Sequence, residues 1–225
     1  MRKQFLFDDH VEEYEEWYEQ YPWVFRSEVE ALREVLPQGD QLNGIEVGLG
    51  TGRFSQALGI KEGIEPSVKM RQLAIDRGVE IMDGTANHLP YGDYRFDFVL
   101  MNFVISYFDD LHAPFKEAHR VLKQDGVLVV GFVDRESIIG QYYEKIKPES
   151  TFYKHARFYS VDKVLSELGR AGFKHAVTRQ TLFNELDEIK TIQPSRPGYG
   201  EGSFVVVGAM KKKPEDEKSI PLIGQ

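Results

Sequence analysis

A short apolar run, Ile45-Glu46-Val47, leads directly into Gly48-Leu49-Gly50-Thr51-Gly52-Arg53-Phe54, where glycines alternate three times before a helical pattern begins. Glycine is needed where a chain takes positive φ or must approach a ligand without a Cβ in the way. Such a turn also aims the first amides of the next helix at whatever sits above the strand ends. Alone, the pattern is equally well a tight turn. A nearby acid changes the balance. Gly63-Ile64-Glu65-Pro66-Ser67 sets a carboxylate at the end of the next strand, 17 residues beyond Gly48. A carboxylate there can accept both hydroxyls of a ribose. The bland alternative for Glu65 is a surface acid favoured by a helix dipole. Loop and acid together favour a nucleoside-containing ligand. The dinucleotide fingerprint asks for G-x-G-x-x-G, but here the third glycine comes one residue early and Arg53 fills the sixth position. That spacing opens the loop for an amino-acid moiety instead of clamping a pyrophosphate, which leaves a nicotinamide dinucleotide as second choice.

The elements that must hold these residues can be read from periodicity. Val11, Tyr14, Tyr18 and Tyr21 recur at three- and four-residue spacing with Trp17 beside them, which predicts a helix whose Glu12, Glu13, Glu15, Glu16 and Glu19 face water. Pro22 breaks that pattern, and a second helix runs through Phe25, Val29, Leu32 and Leu36 to Pro37-Gln38-Gly39. Strands are expected over 44–48, 62–65, 79–82, 96–101 and 126–133, with helices between them. Leu111, Phe115, Ala118 and Leu122 mark the face of one such helix. Strand–helix alternation with near-continuous apolar strands predicts a parallel sheet covered on both sides. A helix follows near 137–145, and another from Ser160 as N-cap to Gly172 as C-cap. The last two strands, 174–182 and 203–210, are joined by a Pro/Gly-rich loop without a helix, so they should be antiparallel.

Between residues 44 and 133 the chain resembles the class I S-adenosylmethionine-dependent methyltransferases, in particular the small-molecule group that includes the ubiquinone/menaquinone-biosynthesis type. Five blocks match in order. They are Glu46-Val47-Gly48-Leu49-Gly50-Thr51-Gly52, with Glu where Asp is commoner; Gly63-Ile64-Glu65-Pro66-Ser67; Asp83-Gly84-Thr85-Ala86-Asn87-His88-Leu89-Pro90-Tyr91; Phe96-Asp97-Phe98-Val99-Leu100-Met101-Asn102; and Glu117 through Gly126. The resemblance implies S-adenosylmethionine as cofactor. Glu65, with Pro66 and Ser67, would hold its ribose, and Asp83, Gly84 and Thr85 would frame its adenine. The glycine loop, with Glu46, Gly48, Gly50 and Gly52, and the carbonyls near Met101 and Asn102 would take the methionine part. It also implies an α/β, Rossmann-like, seven-stranded sheet of order 3-2-1-4-5-7-6 with strand 7 antiparallel. Residues 1–40 are expected as a helical lid of the same domain, 41–210 as the methyltransferase domain, and 211–225 as a charged flexible tail.

The reaction expected is transfer of a methyl group to a small-molecule acceptor by in-line displacement. A non-catalytic cofactor- or partner-binding protein on the same fold, and an NAD-type oxidoreductase, are the rival readings. Aromatic residues in the extensions are the candidate acceptor walls: Tyr14, Trp17, Tyr18, Tyr21 and Trp23, then Tyr107 and Phe108, then Tyr142, Tyr143 and Tyr153. They would suit a cationic sulfonium or an amine through cation–π attraction, although an aromatic stripe at helical spacing is more often core. His155 is the candidate general base, and Arg157 could meet an acceptor carboxylate. The segment Met101-Asn102-Phe103-Val104 lacks the Asn/Asp-Pro-Pro-aromatic signature of enzymes that methylate the amino groups of bases. With no cysteine, disulfides, thiolate metal sites and thiol-adduct chemistry are excluded, and no metal is expected. A net charge of −8 argues against a nucleic-acid partner. No apolar run approaches a membrane span, so a cytoplasmic location without membrane contact is expected.

Overall fold

Alternate residues of the central strands enter opposite hydrophobic layers, as the two-residue strand period requires. In β4 (Phe96–Asn102), Val99 and Met101 face one layer while Phe98 and Leu100 face the other. In β5 (Leu122–Val133), Leu128, Val130 and Phe132 alternate in the same way with Val129 and Val133. These strands are the middle of a single sheet in the computed structural model, which describes residues 7–39 and 41–212.

The sheet runs β3-β2-β1-β4-β5-β8-β6-β7, with β1 (Gly44–Val47), β2 (Glu62–Ile64), β3 (Glu80–Met82), β6 (Phe173–Thr181), β7 (Arg196–Pro197) and β8 (Phe204–Lys211). Pairing is parallel from β3 through β5, and β8 inserts antiparallel between β5 and β6. This is the expected order with β8 in seventh place, but the sheet has eight strands rather than seven. The addition is the two-residue β7, paired with Arg179 and Gln180 on the outer edge. Two residues inside a Pro/Gly-rich loop carry no periodicity that sequence could show. β5 also begins at Leu122, ahead of the expected 126, because a register shift lets Leu122 pair with Phe96 and Val127 with Phe98.

Helices α3 (Arg53–Leu58), α4 (Val68–Asp76), α5 (His112–Val121), α6 (Ile138–Ile146) and α7 (Val161–Arg170) connect the strands. Ser137 caps α6 by accepting from the Gly140 amide at 3.0 Å. At the N-terminus stand α1 (Val11–Gln20) and α2 (Pro22–Val35). Pro22 opens α2, where its missing N–H has no partner to lose.

The two helices do different work, which corrects the expectation of a lid over 1–40. Seven residues of α2 are buried, and it packs against β5, β6 and β8 as part of the core. Only α1, which buries Val11 and Tyr18, is left to cover the strand ends. The expected tail is corrected at its first residue. Lys211 belongs to β8, 5% exposed, and donates to the carbonyls of His119 and Leu122 at 2.8 and 3.0 Å. The tail from 213 onward lies outside the described residues. Among the described residues no helix is long and apolar enough to cross a membrane.

Candidate active site

The loop between β1 and α3 has the backbone its glycines require. Gly48, Gly50 and Gly52 lie at φ +72°, +59° and +79°. A Cβ on Gly48 would come within 2.2 Å of Val104, and one on Gly50 within 3.1 Å of the Tyr14 hydroxyl. The loop therefore tolerates no side chain at Gly48, and Gly50 lies directly beneath α1.

Glu65 closes the loop from below. It is 6% exposed, and its two oxygens accept from the amides of Gly50 at 2.8 Å and Ser67 at 2.7 Å. Burial pushes its carboxyl up to about 7, with those two N–H groups pulling the other way. Glu46 lies nearby, 1% exposed, accepting from the Ser55 hydroxyl at 2.5 Å. Its carboxyl is pushed up to about 8, by burial first and by the charge of Glu65 as well. Asn102, at the end of β4, is 4% exposed, and neither its carbonyl oxygen nor its amide nitrogen has a partner among the described residues.

These groups face a cavity of about 780 Å³ that continues beneath α1 into an aromatic chamber. Pockets of about 300–1,000 Å³ are typical of small-ligand sites. Tyr14 and Tyr18 share a hydrogen bond of 2.8 Å between their hydroxyls. The ring of Phe7 meets those of Tyr107 and Phe152 at 5.0 and 5.7 Å, and Tyr143 packs on Tyr153 at 4.4 Å.

The roof is fastened to the floor by ion pairs. Glu15 of α1 accepts from the Thr51 hydroxyl at 2.6 Å, from Arg53 at 2.7 and 3.0 Å, and from Arg77 at 2.5 Å. These partners hold its carboxyl below the usual range in spite of partial burial. Asp8 accepts from the Ser67 hydroxyl at 2.6 Å and the Lys69 amide at 3.0 Å. Glu15 was expected to face water with the other acids of its helix, and it does not. The spacing of acids along α1 cannot reveal that two arginines, 38 and 62 residues away, converge on one of them.

Of the residues singled out from sequence, Glu46, Gly48, Gly50, Glu65, Pro66, Ser67, Gly84, Thr85 and Asn102 line the cavity. So do Tyr14, Tyr18, Tyr107 and Tyr153. Five others do not. Gly52 packs against Ala74 in the turn into α3. Met101 belongs to the layer opposite Leu100, one residue out of phase with Asn102. The Asp83 side chain is exposed and paired with Arg71 at 3.4 Å. His155 is exposed on a single turn, 153–155, and Arg157 is exposed and donates to the carbonyl of Asp109 at 3.1 Å. Glu28, Asp8 and Glu15 were missed. For Glu28 a signal existed: it falls four residues from both Val24 and Leu32, an acid on the apolar stripe of α2.

The donor set fits an adenosyl sulfonium with an amino-acid end. A buried carboxylate at the strand end suits a vicinal diol, and the acids beside it suit a cation. Asn102 offers one free donor and one free acceptor to a zwitterion.

Comparisons with known proteins agree with this chemistry. A methyltransferase-domain family model matches residues 45–130, from β1 into β5. An uncharacterized protein of Methanocaldococcus jannaschii is 38% identical over 92% of this chain and 98% of its own length. A demethylmenaquinone methyltransferase of Thermotoga maritima is 32% identical over 45% of this chain and 46% of its own. The crystal structure of a SAM-dependent methyltransferase from Thermotoga maritima, described as a possible histamine N-methyltransferase, superposes with a TM-score of 0.89 at 44% identity. It covers 93% of this chain and 100% of that one. A glycine loop, a diol-ready acid and this degree of likeness lead to one conclusion: the chain belongs to the class I methyltransferases, whose cofactor is S-adenosylmethionine.

Proposed function

We propose that the protein methylates a small molecule held in the aromatic chamber beneath α1. One observation carries this reading. A single cavity joins the glycine loop to that chamber, so donor and acceptor can meet in one space with α1 closed over them. Bound S-adenosylmethionine supplies a methyl group on a sulfonium, a good leaving group that takes the bonding pair as the acceptor's lone pair attacks from the opposite side. The chain's own task is alignment and exclusion of water. Alignment of two bound reactants can contribute ~7–11 kcal/mol, against ~3–5 kcal/mol from a general base. No acid–base residue is then obligatory, which agrees with the placement of His155 outside the cavity.

In this reading Glu65 accepts the ribose hydroxyls, with Pro66 and Ser67 shaping the turn around them. Gly84 and Thr85 border the adenine. Gly48, Gly50 and Asn102 receive the methionine part, and the buried acids Glu46 and Glu65 compensate its positive charge. Tyr14, Tyr18, Tyr107 and Tyr153 wall the acceptor. Residues 41–210 with α2 form the methyltransferase domain, and α1 is its roof. The description of the Thermotoga maritima relative supports nitrogen as the accepting atom.

Thermal denaturation with S-adenosylhomocysteine tests the reading. This product of the reaction should raise the melting temperature of the wild type, and Glu65→Ala should abolish the shift. An unchanged shift in the variant would remove Glu65 from the site.

A further inference from the structure

The acceptor end of the cavity contains one group that the cofactor does not use. Glu28 lies within α2, 2% exposed and lining the chamber. Its Oε2 has no hydrogen-bond partner among the described residues. The other buried carboxylates described, Glu46, Glu65, Asp134 and Glu167, each accept at least one hydrogen bond. A buried polar group without a partner costs stability, so its presence calls for another explanation.

Its surroundings indicate what completes it. Tyr18, Tyr143 and Tyr153 stand close enough for its charge to act on their hydroxyls. The rings of Tyr143 and Tyr153 also pack on Phe158. Aromatic faces with a carboxylate among them attract a cation and repel an anion. The remaining charged residues along the wall agree. Glu13, Glu16, Asp109 and Asp110 lie on exposed positions at its rim, and none of the described lining residues is Lys, Arg or His. Tyr14 and Tyr18 stand between Glu28 and the glycine loop, Tyr14 over Gly50 and Tyr18 toward Glu28. Glu28 therefore belongs to the acceptor rather than to the donor.

We infer that Glu28 is the anchor for a protonated nitrogen of the acceptor, so that the substrate is a compact organic amine or basic heterocycle whose methyl-accepting atom is a second, unprotonated one. This rests on the methyl-transfer reading and names the substrate class of the same site. Glu28 is a positioning residue here, holding the cationic end of the acceptor. The proton balance follows from burial. Desolvation keeps the free carboxyl well above the usual carboxylate range, which favours its protonated form. The titratable groups that its charge would reach, Tyr18 from α1, Tyr143 from α6 and Tyr153 from the turn 153–155, have their hydroxyl pKa values raised by burial first. An arriving ammonium converts this carboxyl to a carboxylate–ammonium pair and releases one proton to solvent. Amine affinity then rises with pH while the free carboxyl is protonated, and the heat of binding depends on the buffer's ionisation enthalpy.

Calorimetry on the full chain saturated with S-adenosylhomocysteine tests this, with histamine and benzylamine as probes and benzyl alcohol and phenylacetate as controls. At least one amine should bind with release of about one proton, and neither control should. Glu28→Gln should weaken the amine at least tenfold and abolish proton release while S-adenosylhomocysteine binds as before. Glu28→Leu, which removes the buried acid with the unpartnered oxygen, should melt no lower than the wild type and also fail to bind amine. The proposal is overturned if neither amine binds, if phenylacetate binds as tightly as the amines, or if Glu28→Gln keeps wild-type amine affinity. A wild type that ignores S-adenosylhomocysteine contradicts the methyl-transfer reading instead. The same titrations without it still decide the role of Glu28.

Discussion

The two ends of the cavity are built from different materials. At the glycine loop, backbone does most of the work: three residues at positive φ, and two amides that hold the Glu65 carboxylate in place. In the chamber under α1 the walls are side chains from four separate stretches, joined by ring contacts, and the acid on its lining, Glu28, has an oxygen without a partner among the described residues. A preorganised end recognises the constant part of the reaction. An end made of side chains can change its acceptor without disturbing the loop.

The largest expected effect is on the preorganised end. In the proposed binding mode Glu65→Ala removes a buried acceptor of two ribose hydroxyls, and hydrogen bonds to charged groups contribute ~1.5–3 kcal/mol each. S-adenosylhomocysteine affinity should fall about 100-fold by calorimetry, with amine probes unaffected in its absence. Loss at both ends would mean that the two are one coupled unit.

The seam between the ends comes next. Glu15→Ala leaves Arg53 and Arg77, with side chains about one-fifth exposed, without their shared carboxylate. Stability should drop by roughly 2 kcal/mol, read as a lower melting temperature, and amide exchange in α1 should quicken more than in α2. Equal exchange in both helices would break the division between roof and core.

A smaller effect is expected from pH. Burial holds the free Glu65 carboxyl near 7, and the ribose hydroxyls are best accepted by its ionised form. Cofactor affinity should therefore be full above that value and decline as pH falls through 7, by up to roughly tenfold per unit below it. Glu65→Gln should flatten the slope. A slope that persists would assign it to Glu46, whose carboxyl titrates about a unit higher.

The smallest change, Tyr14→Phe, deletes the hydroxyl shared with Tyr18 over Gly50. It should cost about 1 kcal/mol of stability and alter acceptor affinity more than cofactor affinity.

How much of this could be read from sequence follows the same division. The loop, Glu65 and the positions of the first five strands were legible, because glycine at positive φ and apolar strand periods leave local marks, whereas the order of those strands came from the family resemblance. The eighth strand left none, since Arg196-Pro197 pairs only through its position beside β6. Met101 and Asn102 were read together for their carbonyls, and the strand period, which sends their side chains to opposite layers, leaves only the Asn102 side chain facing the cavity. The chamber was half legible. Tyr14, Tyr18, Tyr107 and Tyr153 were found as aromatics, but His155 and Arg157 were favoured by chemical type and lie outside. Glu15 looked like its neighbours until long-range contacts chose it. Glu28 was visible only as an acid out of place among Val24, Phe25 and Leu32.

A crystal structure grown with S-adenosylhomocysteine tests the core of this reading most directly. The ribose hydroxyls should lie within hydrogen-bond distance of the Glu65 carboxylate, with the amino-acid end beside Gly48 and Asn102 and the sulfur facing the aromatic chamber. A nucleoside bound elsewhere, or a loop still closed by Tyr14 with no room for it, would contradict the assignment.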